Sequence, residues 1–238
     1  DWFPGAGWGR RCATAVALAL AALHIPLAPL NMLRVLSAVS AFGQVIDVSA
    51  ASFPSDPSVR GSQVLVMSTP SAFISNFAPT IALLEGRAVG DRGLVLGSGV
   101  EPIRIERPDA KTIVVQPLGG YLKPGGRRRP GLEGAHPALD LRYMYPMFDV
   151  LYRDAQPMRP GERIPLGDVS AEIMAVTDDG RPETVAFHFA TVLEDSTLRW
   201  LHWRDGVYAP FEPPPIGAST TLPAVTVPFP PPRLPPAE

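Results

Sequence analysis

The sequence is poor in cysteine and in charge. Its single cysteine, Cys12, cannot form an internal disulfide, nor can it supply the thiolate cluster of a zinc or iron–sulfur site. Charged residues make up 18% of the chain, against roughly 25% in a typical soluble domain. The net charge of -2 provides no excess of lysine and arginine to attract phosphates, so nucleic acid is not an expected partner.

Familiar catalytic patterns are also missing. The chain has no Walker-type G-x-x-x-x-G-K, no G-x-S-x-G elbow and no H-E-x-x-H, and its glycine clusters do not follow a strand and open a helix. A metal site made by His188, His202 and Asp195 is conceivable, but ordinary packing of histidines in an aromatic sheet is the favoured interpretation. No catalytic residue, metal or cofactor is therefore expected.

A long uncharged segment is present near the amino terminus. Residues 12–33 contain no Asp, Glu, Lys or Arg, and at about 1.5 Å per residue they are long enough for a hydrocarbon core of about 30 Å. Arg10 and Arg11 precede the segment and only Arg34 follows it closely, so the positive-inside rule places residues 1–11 in the cytoplasm. Residues from about 34 onward are then expected on the extracytoplasmic side.

The alternative for this segment is a secretory signal peptide, which normally begins at a Met and ends at a small-residue cleavage site. The chain begins at Asp1, which favours a piece of a longer protein. Pro26 and Pro29 favour a kinked helix that packs against other membrane helices. His24 falls near the middle of the span, where a polar side chain is costly, so it is a candidate intramembrane polar site that faces neighbouring helices or a polar cavity.

The remaining sequence predicts three further segments. Residues 34–58 predict an amphipathic connector helix, because Ser37, Ser40, Gln44 and Asp47 recur at helical spacing. Residues 59–212 predict a β-rich domain with one or two helices. In this domain QVLVM predicts a buried strand, and the segment after it predicts a helix that Pro79 bends or breaks. Paired alternating runs around Asp-Gly and Pro-Asp turns predict hairpins, and residues 213–238 predict a proline-rich disordered tail. The expected fold class is α+β with mainly antiparallel strands.

Two polar clusters are candidate anion-binding sites. Ser68, Thr69 and Ser71 come at the start of the predicted helix, where free amides and the helix dipole favour an anion, although capping alone is the favoured explanation. Arg127, Arg128 and Arg129 lie in a turn-rich stretch that is suited to anionic headgroups or a phosphorylated ligand, with a solvated loop as the default.

The order of features resembles the carboxy-terminal part of uncharacterised bacterial polytopic membrane proteins. The resemblance rests on the alanine- and leucine-rich span, the connector, VLVMSTP, IRIERPDAKTIVVQPLGGYL, TDDGRPETVAFHF and LRWLHWRDGVYAPFEPPPIG. It implies an extracytoplasmic β-rich domain after several spans in a bacterial inner membrane, and it transfers no catalytic residues.

The leading functional hypothesis is a non-catalytic extracytoplasmic domain that serves assembly or ligand binding in a multi-span protein. Its expected partners are the lipid bilayer and neighbouring transmembrane helices of the same longer chain. One alternative is a substrate platform or lid of an integral-membrane transferase that acts on lipid-linked substrates, with its catalytic residues upstream. Another is a singly anchored binding module.

Overall fold

The structure, a computed structural model, describes residues 6–123, 150 and 156–225. The chain divides into two compact units, Asp1–Phe42 and Gly43–Glu238. The predicted α+β fold is confirmed, because a long apolar amino-terminal helix precedes a domain of mainly antiparallel strands with one further α-helix.

Helix α1 runs without interruption from Ala6 to Ser52. Nearly all side chains described between Arg11 and Ser40 are exposed, and Ile25 is 72% exposed although it is apolar. Within the described ranges, this helix holds the only stretch that is long and apolar enough to span a membrane. The predicted span over 12–33 therefore lies inside a longer helix that continues past both of its prolines.

The connector predicted over residues 34–58 is the continuation of α1. Val45 and Ile46 are buried whereas Gln44 and Asp47 are exposed, so the polar and apolar stripes separate as predicted in the last turns. The helix ends at Ser52 rather than near residue 58. A proline disfavours the helical conformation of the residue before it, and Pro54 follows Phe53.

An arginine from a distant part of the chain caps the end of α1. The last four carbonyls of a helix lack partners within it. Arg87 donates from Nη1 to the Ala50 carbonyl at 2.9 Å and to Ser55 Oγ at 3.3 Å. Since the last turn of α1 has no basic residue of its own, Arg87 supplies the positive charge that the helix dipole favours there.

In its described residues the second unit contains one further α-helix and two sheets. Helix α2 is Ala72–Leu84. The strands are β1 (Gln63–Val66), β2 (Arg92–Val95), β3 (Ile103–Glu106), β4 (Thr112–Pro117), β5 (Arg163–Pro165), β6 (Val169–Val176), β7 (Pro182–Phe189), β8 (Leu198–Arg204), β9 (Val207–Pro210) and β10 (Ser219–Leu222).

The two sheets differ in the relative direction of their strands. The six-stranded sheet is antiparallel throughout, in the order β10-β3-β4-β7-β6-β5. The four-stranded sheet has the order β2-β1-β8-β9, in which β2 and β8 both run parallel to β1. The sequence predicted mainly antiparallel strands, which agrees with the larger sheet, and it did not indicate the small parallel unit of β1 and β2 that α2 joins.

Strand β1 is buried on both faces. Leu65 joins the core cluster that both sheets share, together with Phe187 of β7 and Trp200 of β8. Val64 and Val66 point to the opposite face, where they line a groove with Phe53 and with residues of α2. Because central parallel strands are covered on both sides, their sequences are continuous apolar runs, as in QVLVM.

The predicted hairpins are confirmed. Strands β8 and β9 pair around Asp205 and Gly206, whose φ values of 52° and 91° match the mirror-image turn that Asp-Gly favours. Strands β3 with β4, and β6 with β7, also pair as predicted.

Predictions that rested on proline are corrected in part. Helix α2 is not broken at Pro79 and continues to Leu84, so the predicted break is wrong and the alternative, a bend, stays a prediction. The tail predicted to be disordered from residue 213 contains β10, which pairs with β3 from Ser219↔Glu106 to Leu222↔Ile103. This stretch has no proline, and its two threonines are β-branched residues that favour strands. Residues 226–238 lie outside the described residues.

Two arginines are buried in the domain. Arg107 is 4% exposed, and it donates to Glu194, to the Asp109 carbonyl and to the Pro214 carbonyl. Arg181 donates to Asp179 and to the carbonyls of Gly119 and Tyr121. Each guanidinium therefore joins segments that are distant in sequence.

Candidate functional site

The predicted hydroxyl cluster lies where β1 leads into α2. Ser68, Thr69 and Ser71 are brought together there, and all three are buried. Ser68 Oγ accepts a hydrogen bond from the Trp203 amide at 3.2 Å, and Thr69 Oγ1 donates to the Ser71 carbonyl at 3.1 Å. These two hydroxyls thus connect the turn to itself and to β8.

Tyr208 lies beside this hydroxyl cluster, and it was not among the residues predicted from the sequence. Its hydroxyl lies 3.2 Å from Thr69 Oγ1, and its amide donates to Ser52 Oγ at 3.0 Å. Its ring forms edge contacts with Phe53 and Trp203. Burial raises the pKa of the Tyr208 hydroxyl well above its ordinary value, so the group stays neutral. The cluster joins the end of α1 to the four-stranded sheet.

The anion-binding prediction for Ser68, Thr69 and Ser71 stays a prediction. The structure gives the hydroxyls of Ser68 and Thr69 internal partners, the Trp203 amide and the Ser71 carbonyl. Neither partner is an amide of α2, so the capping explanation weighed beside it also stays a prediction. The other candidate cluster, Arg127, Arg128 and Arg129, lies outside the described residues.

His24 is exposed on α1. Its Nδ1 lies 3.0 Å from the Leu20 carbonyl, one turn earlier in the same helix. A side chain that bonds its own backbone lowers the cost of placing a polar group among lipid tails. Its predicted contact with neighbouring helices remains a prediction.

A polar row crosses the outer face of the six-stranded sheet. It consists of Thr112 on β4, His188 on β7, Glu172 on β6 and Arg163 on β5. Thr112 Oγ1 is 3.2 Å from His188 Nδ1, His188 Nε2 is 3.1 Å from Glu172, and Arg163 is 2.7 Å from the same carboxylate oxygen. With the proton on Nε2, His188 donates to Glu172 and accepts from Thr112.

His188 and His202 lie in different sheets. His202 lies on β8 in the other sheet, beside Phe211, and burial followed by repulsion from Arg204 lowers its pKa. The metal site considered for these two histidines is not formed, and the described part of the chain has no group of three metal-ligating side chains.

The polar row makes stability depend on pH. The hydrogen bond from His188 and then that from Arg163 lower the pKa of Glu172 below its ordinary value of 4.5. The unfolded chain therefore takes up the proton first, and this contribution is complete above pH 4.5 and is lost as the pH falls below it. We expect Glu172→Gln to flatten the acid side of the pH–stability curve, measured by urea unfolding. An unchanged pH–stability curve would show that protonation of Glu172 is not coupled to folding.

A cleft of about 350 Å³ opens at the amino ends of the parallel strands. Phe189 and Leu198, both largely buried, form its apolar floor. Polar side chains line its rim: Ser62, Gln63, Asp91, Arg92, Asp168, Thr191 and Thr197. Small-molecule sites combine an apolar lining with a few polar groups in this manner, at about 300–1,000 Å³.

The charged groups of the cleft remain accessible. Arg92 and Asp168 approach to 3.5 Å, yet their side chains are 58% and 80% exposed. Asp91 accepts a hydrogen bond from the Gly61 amide at 3.1 Å, which fixes the turn before β1. The rim thus offers a cation and two carboxylates to a polar ligand.

The exposed ion pair of the cleft, Arg92 with Asp168, is expected to contribute little to folding. We expect Arg92→Gln and Asp168→Asn each to change the free energy of unfolding by less than about 0.5 kcal/mol, since exposed ion pairs are weak. Arg107→Gln, which removes a buried guanidinium, is the contrasting control. Denaturant titration measures these free energies of unfolding. A loss of stability comparable with that of Arg107→Gln would show that the pair of Arg92 and Asp168 is needed for folding.

Comparison of the chain with protein-family models, curated proteins and solved structures returned no match.

Proposed function

We propose that this chain is the last membrane helix and the extracytoplasmic domain of a multi-span protein of the bacterial inner membrane, and that the domain is non-catalytic and serves assembly or ligand binding. Residues from about 34 onward lie on the extracytoplasmic side. The bilayer and neighbouring helices of the same longer chain surround α1.

The observation that carries the proposal is the exposure of α1. Its apolar side chains between Arg11 and Arg34 are accessible all round the helix, with Leu18 65% and Met32 63% exposed. No charged residue interrupts this stretch. Exposed surface of this kind is unfavourable in water and favourable among lipid tails. The arginines at residues 10 and 11 support a cytoplasmic amino end.

The polar groups of the domain support a non-catalytic role. Thr112, His188 and Glu172 are ordered like a nucleophile, a base and a carboxylate, but Thr112 is only 7% exposed. Both ring nitrogens of His188 already lie within hydrogen-bond distance of a protein partner. A catalytic hydroxyl must reach its substrate, so this row stabilises the sheet.

The cleft supports ligand binding by the domain. Its charged side chains are exposed on elements of the scaffold, as expected of groups that meet a ligand. The chemistry of Arg92, Asp91 and Asp168 suits a small polar molecule that bears both hydrogen-bond donors and acceptors.

The membrane part of the proposal is tested by alkaline extraction of membranes that contain the full chain. We expect the protein to stay in the pellet, and we expect Leu20→Arg with Leu23→Arg to release it, because an arginine at the centre of a span costs about 2.5–3.5 kcal/mol. Leu118→Arg with Ile216→Arg, two exposed apolar positions of the domain, is the matched control and should remain in the pellet. Complete extraction of the unaltered chain would contradict the proposal.

A further inference from the structure

The cleft at the amino ends of the parallel strands is built by segments that are distant in sequence. Strand ends and turns supply its charged and apolar residues, namely Asp91, Arg92, Asp168, Phe189 and Leu198. All of them belong to the unit Gly43–Glu238, and the two apolar ones come from different sheets. The folded domain therefore fixes their arrangement.

Gly167 positions the guanidinium of Arg92 at the rim of the cleft. Its φ is 78°, a conformation that favours glycine. A Cβ added at this glycine would overlap Arg92 Nη1 and would lie 3.1 Å from Cζ. The guanidinium thus packs directly on the backbone of the turn, where Nη1 lies 3.5 Å from the Asp168 carboxylate. Because the Arg92 side chain is still 58% exposed, it is held in place and accessible to a ligand.

The rim presents charges of both signs side by side. Arg92 and Asp168 form an exposed ion pair, and Asp91 adds a second carboxylate that the Gly61 amide holds in position. Because an exposed ion pair is weak, ligand groups can replace its partners at small cost. A ligand that complements this rim therefore carries one anionic and one cationic group.

The size of the cleft restricts the ligand further. Its volume of about 350 Å³ lies near the lower end of the range of small-molecule sites, about 300–1,000 Å³. The two charges of the ligand must then lie close together, as they do in an α-amino acid, where one carbon bears both the ammonium and the carboxylate. Phe189 and Leu198 on the floor offer contact to an apolar side chain. A neutral sugar would leave the charged rim groups without opposite charges.

We propose that the cleft binds an α-amino acid with an apolar side chain. This inference rests on the proposed ligand-binding role of the domain and names its ligand class. Arg92 donates to the ligand carboxylate, whose geometry matches the planar guanidinium. Asp91 and Asp168 accept from the ammonium group, and the apolar side chain lies on Phe189 and Leu198.

The test is calorimetric titration of the full chain in detergent micelles with L-leucine as the probe. We expect saturable binding that Arg92→Gln and Asp168→Asn each weaken at least about tenfold, because hydrogen bonds between charged groups are the strong ones. Arg204→Gln is the matched control, since Arg204 and Asp205 form an exposed ion pair with the same 3.5 Å distance outside the lining of the cleft. This control should bind leucine as the unaltered chain does.

Analogues of leucine assign each charge to its partner. Leucinamide lacks the carboxylate, so it should bind more weakly than leucine, and Arg92→Gln should not weaken it further. N-acetylleucine lacks the ammonium group, so it should bind more weakly, and Asp168→Asn should not weaken it further. Glycine, which has no side chain to place on the floor, should bind at least about fivefold more weakly than leucine.

The outcomes separate this inference from the proposed function. Absence of leucine binding, equal binding of leucine and leucinamide, or binding that survives both Arg92→Gln and Asp168→Asn overturns the ligand class. Preferred binding of glucose overturns it as well. Each of these results leaves in place the membrane anchorage, which alkaline extraction tests separately. Leucine that is recovered chemically changed would instead contradict the non-catalytic role, whereas we expect it to be recovered intact.

Discussion

Replacing Arg181 by alanine is expected to lower the free energy of unfolding by about 2–4 kcal/mol, since each buried acceptor left without a donor costs about 1–3 kcal/mol. The guanidinium is largely buried and donates to the Tyr121 carbonyl at 2.6 Å and to the Gly119 carbonyl at 3.4 Å. It also donates to Asp179 at 2.7 Å. Its removal therefore leaves carbonyls without their partner and frees the segment that follows β4.

Denaturant unfolding of the full chain measures this effect, with Arg204→Ala as the control. Arg204 lies in the next hairpin and pairs with Asp205, but both side chains are strongly exposed, so its removal should be nearly neutral. Equal effects of the two substitutions would contradict the role assigned to Arg181.

The substitution of Arg181 also changes how the free energy of unfolding depends on pH in acid solution. The hydrogen bonds from Arg181 and then from Thr177 lower the pKa of Asp179 from 3.8 to about 2. This contribution is complete above pH 3.8 and is lost as the pH falls towards about 2. Without the guanidinium the pKa of Asp179 returns towards its ordinary value, so this contribution shrinks and the variant should lose less stability than the unaltered chain as the pH falls from 3.8 to about 2.

Ending the chain after Pro213 is expected to destabilise the domain by more than about 3 kcal/mol or to prevent its folding. Truncation removes β10 and exposes the edge of β3. It also removes Leu222 from the core and the Pro214 carbonyl from Arg107. A buried leucine replaced by alanine alone costs about 2–5 kcal/mol.

The matched control ends after Val225 and keeps every strand. Its unfolding free energy should stay close to that of the full chain, whereas the shorter chain should aggregate or unfold at lower denaturant, because an uncovered strand edge invites pairing. Equal stability of the two truncated chains would show that residues 213–225 belong to the disordered tail that the sequence predicted.

Local signals explain what the sequence predicted correctly. Asp205 and Gly206 impose their turn through backbone preference alone, so the β8–β9 hairpin needed no knowledge of distant residues. Period-two alternation likewise explains why Val185, Phe187 and Phe189 share one face of β7, which lies in the core.

Non-local pairing explains what was missed. Strand β1 pairs with β8 from Gln63↔Leu198 to Val66↔Leu201, and nothing in either segment indicates the partner. The proline content of the last segment concealed β10, whose short threonine-containing run is ordered by pairing with β3. Tertiary contacts of this kind override local propensity.

The candidate sites also combine features that the local sequence indicated with contacts that depend on distant residues. Ser68, Thr69 and Ser71 lie just before the first residue of α2, as the local sequence predicted, whereas capping of the helix by their hydroxyls stays a prediction. Their partner Tyr208 comes from a strand far along the chain. Likewise, the polar row requires the register of four strands to bring His188 beside Glu172.

The central claim is that α1 crosses the membrane and places the domain outside the cytoplasm. The most direct measurement is labelling of spheroplasts with a membrane-impermeant maleimide, using the full chain with Cys12→Ser and one new cysteine. Gly9→Cys, where an added Cβ meets no neighbouring atom, reports the amino end, and Ile216→Cys, 58% exposed, reports the domain. We predict labelling of position 216 in intact spheroplasts and labelling of position 9 only after lysis. Labelling of both positions or of neither before lysis, or the reverse order, would contradict the account.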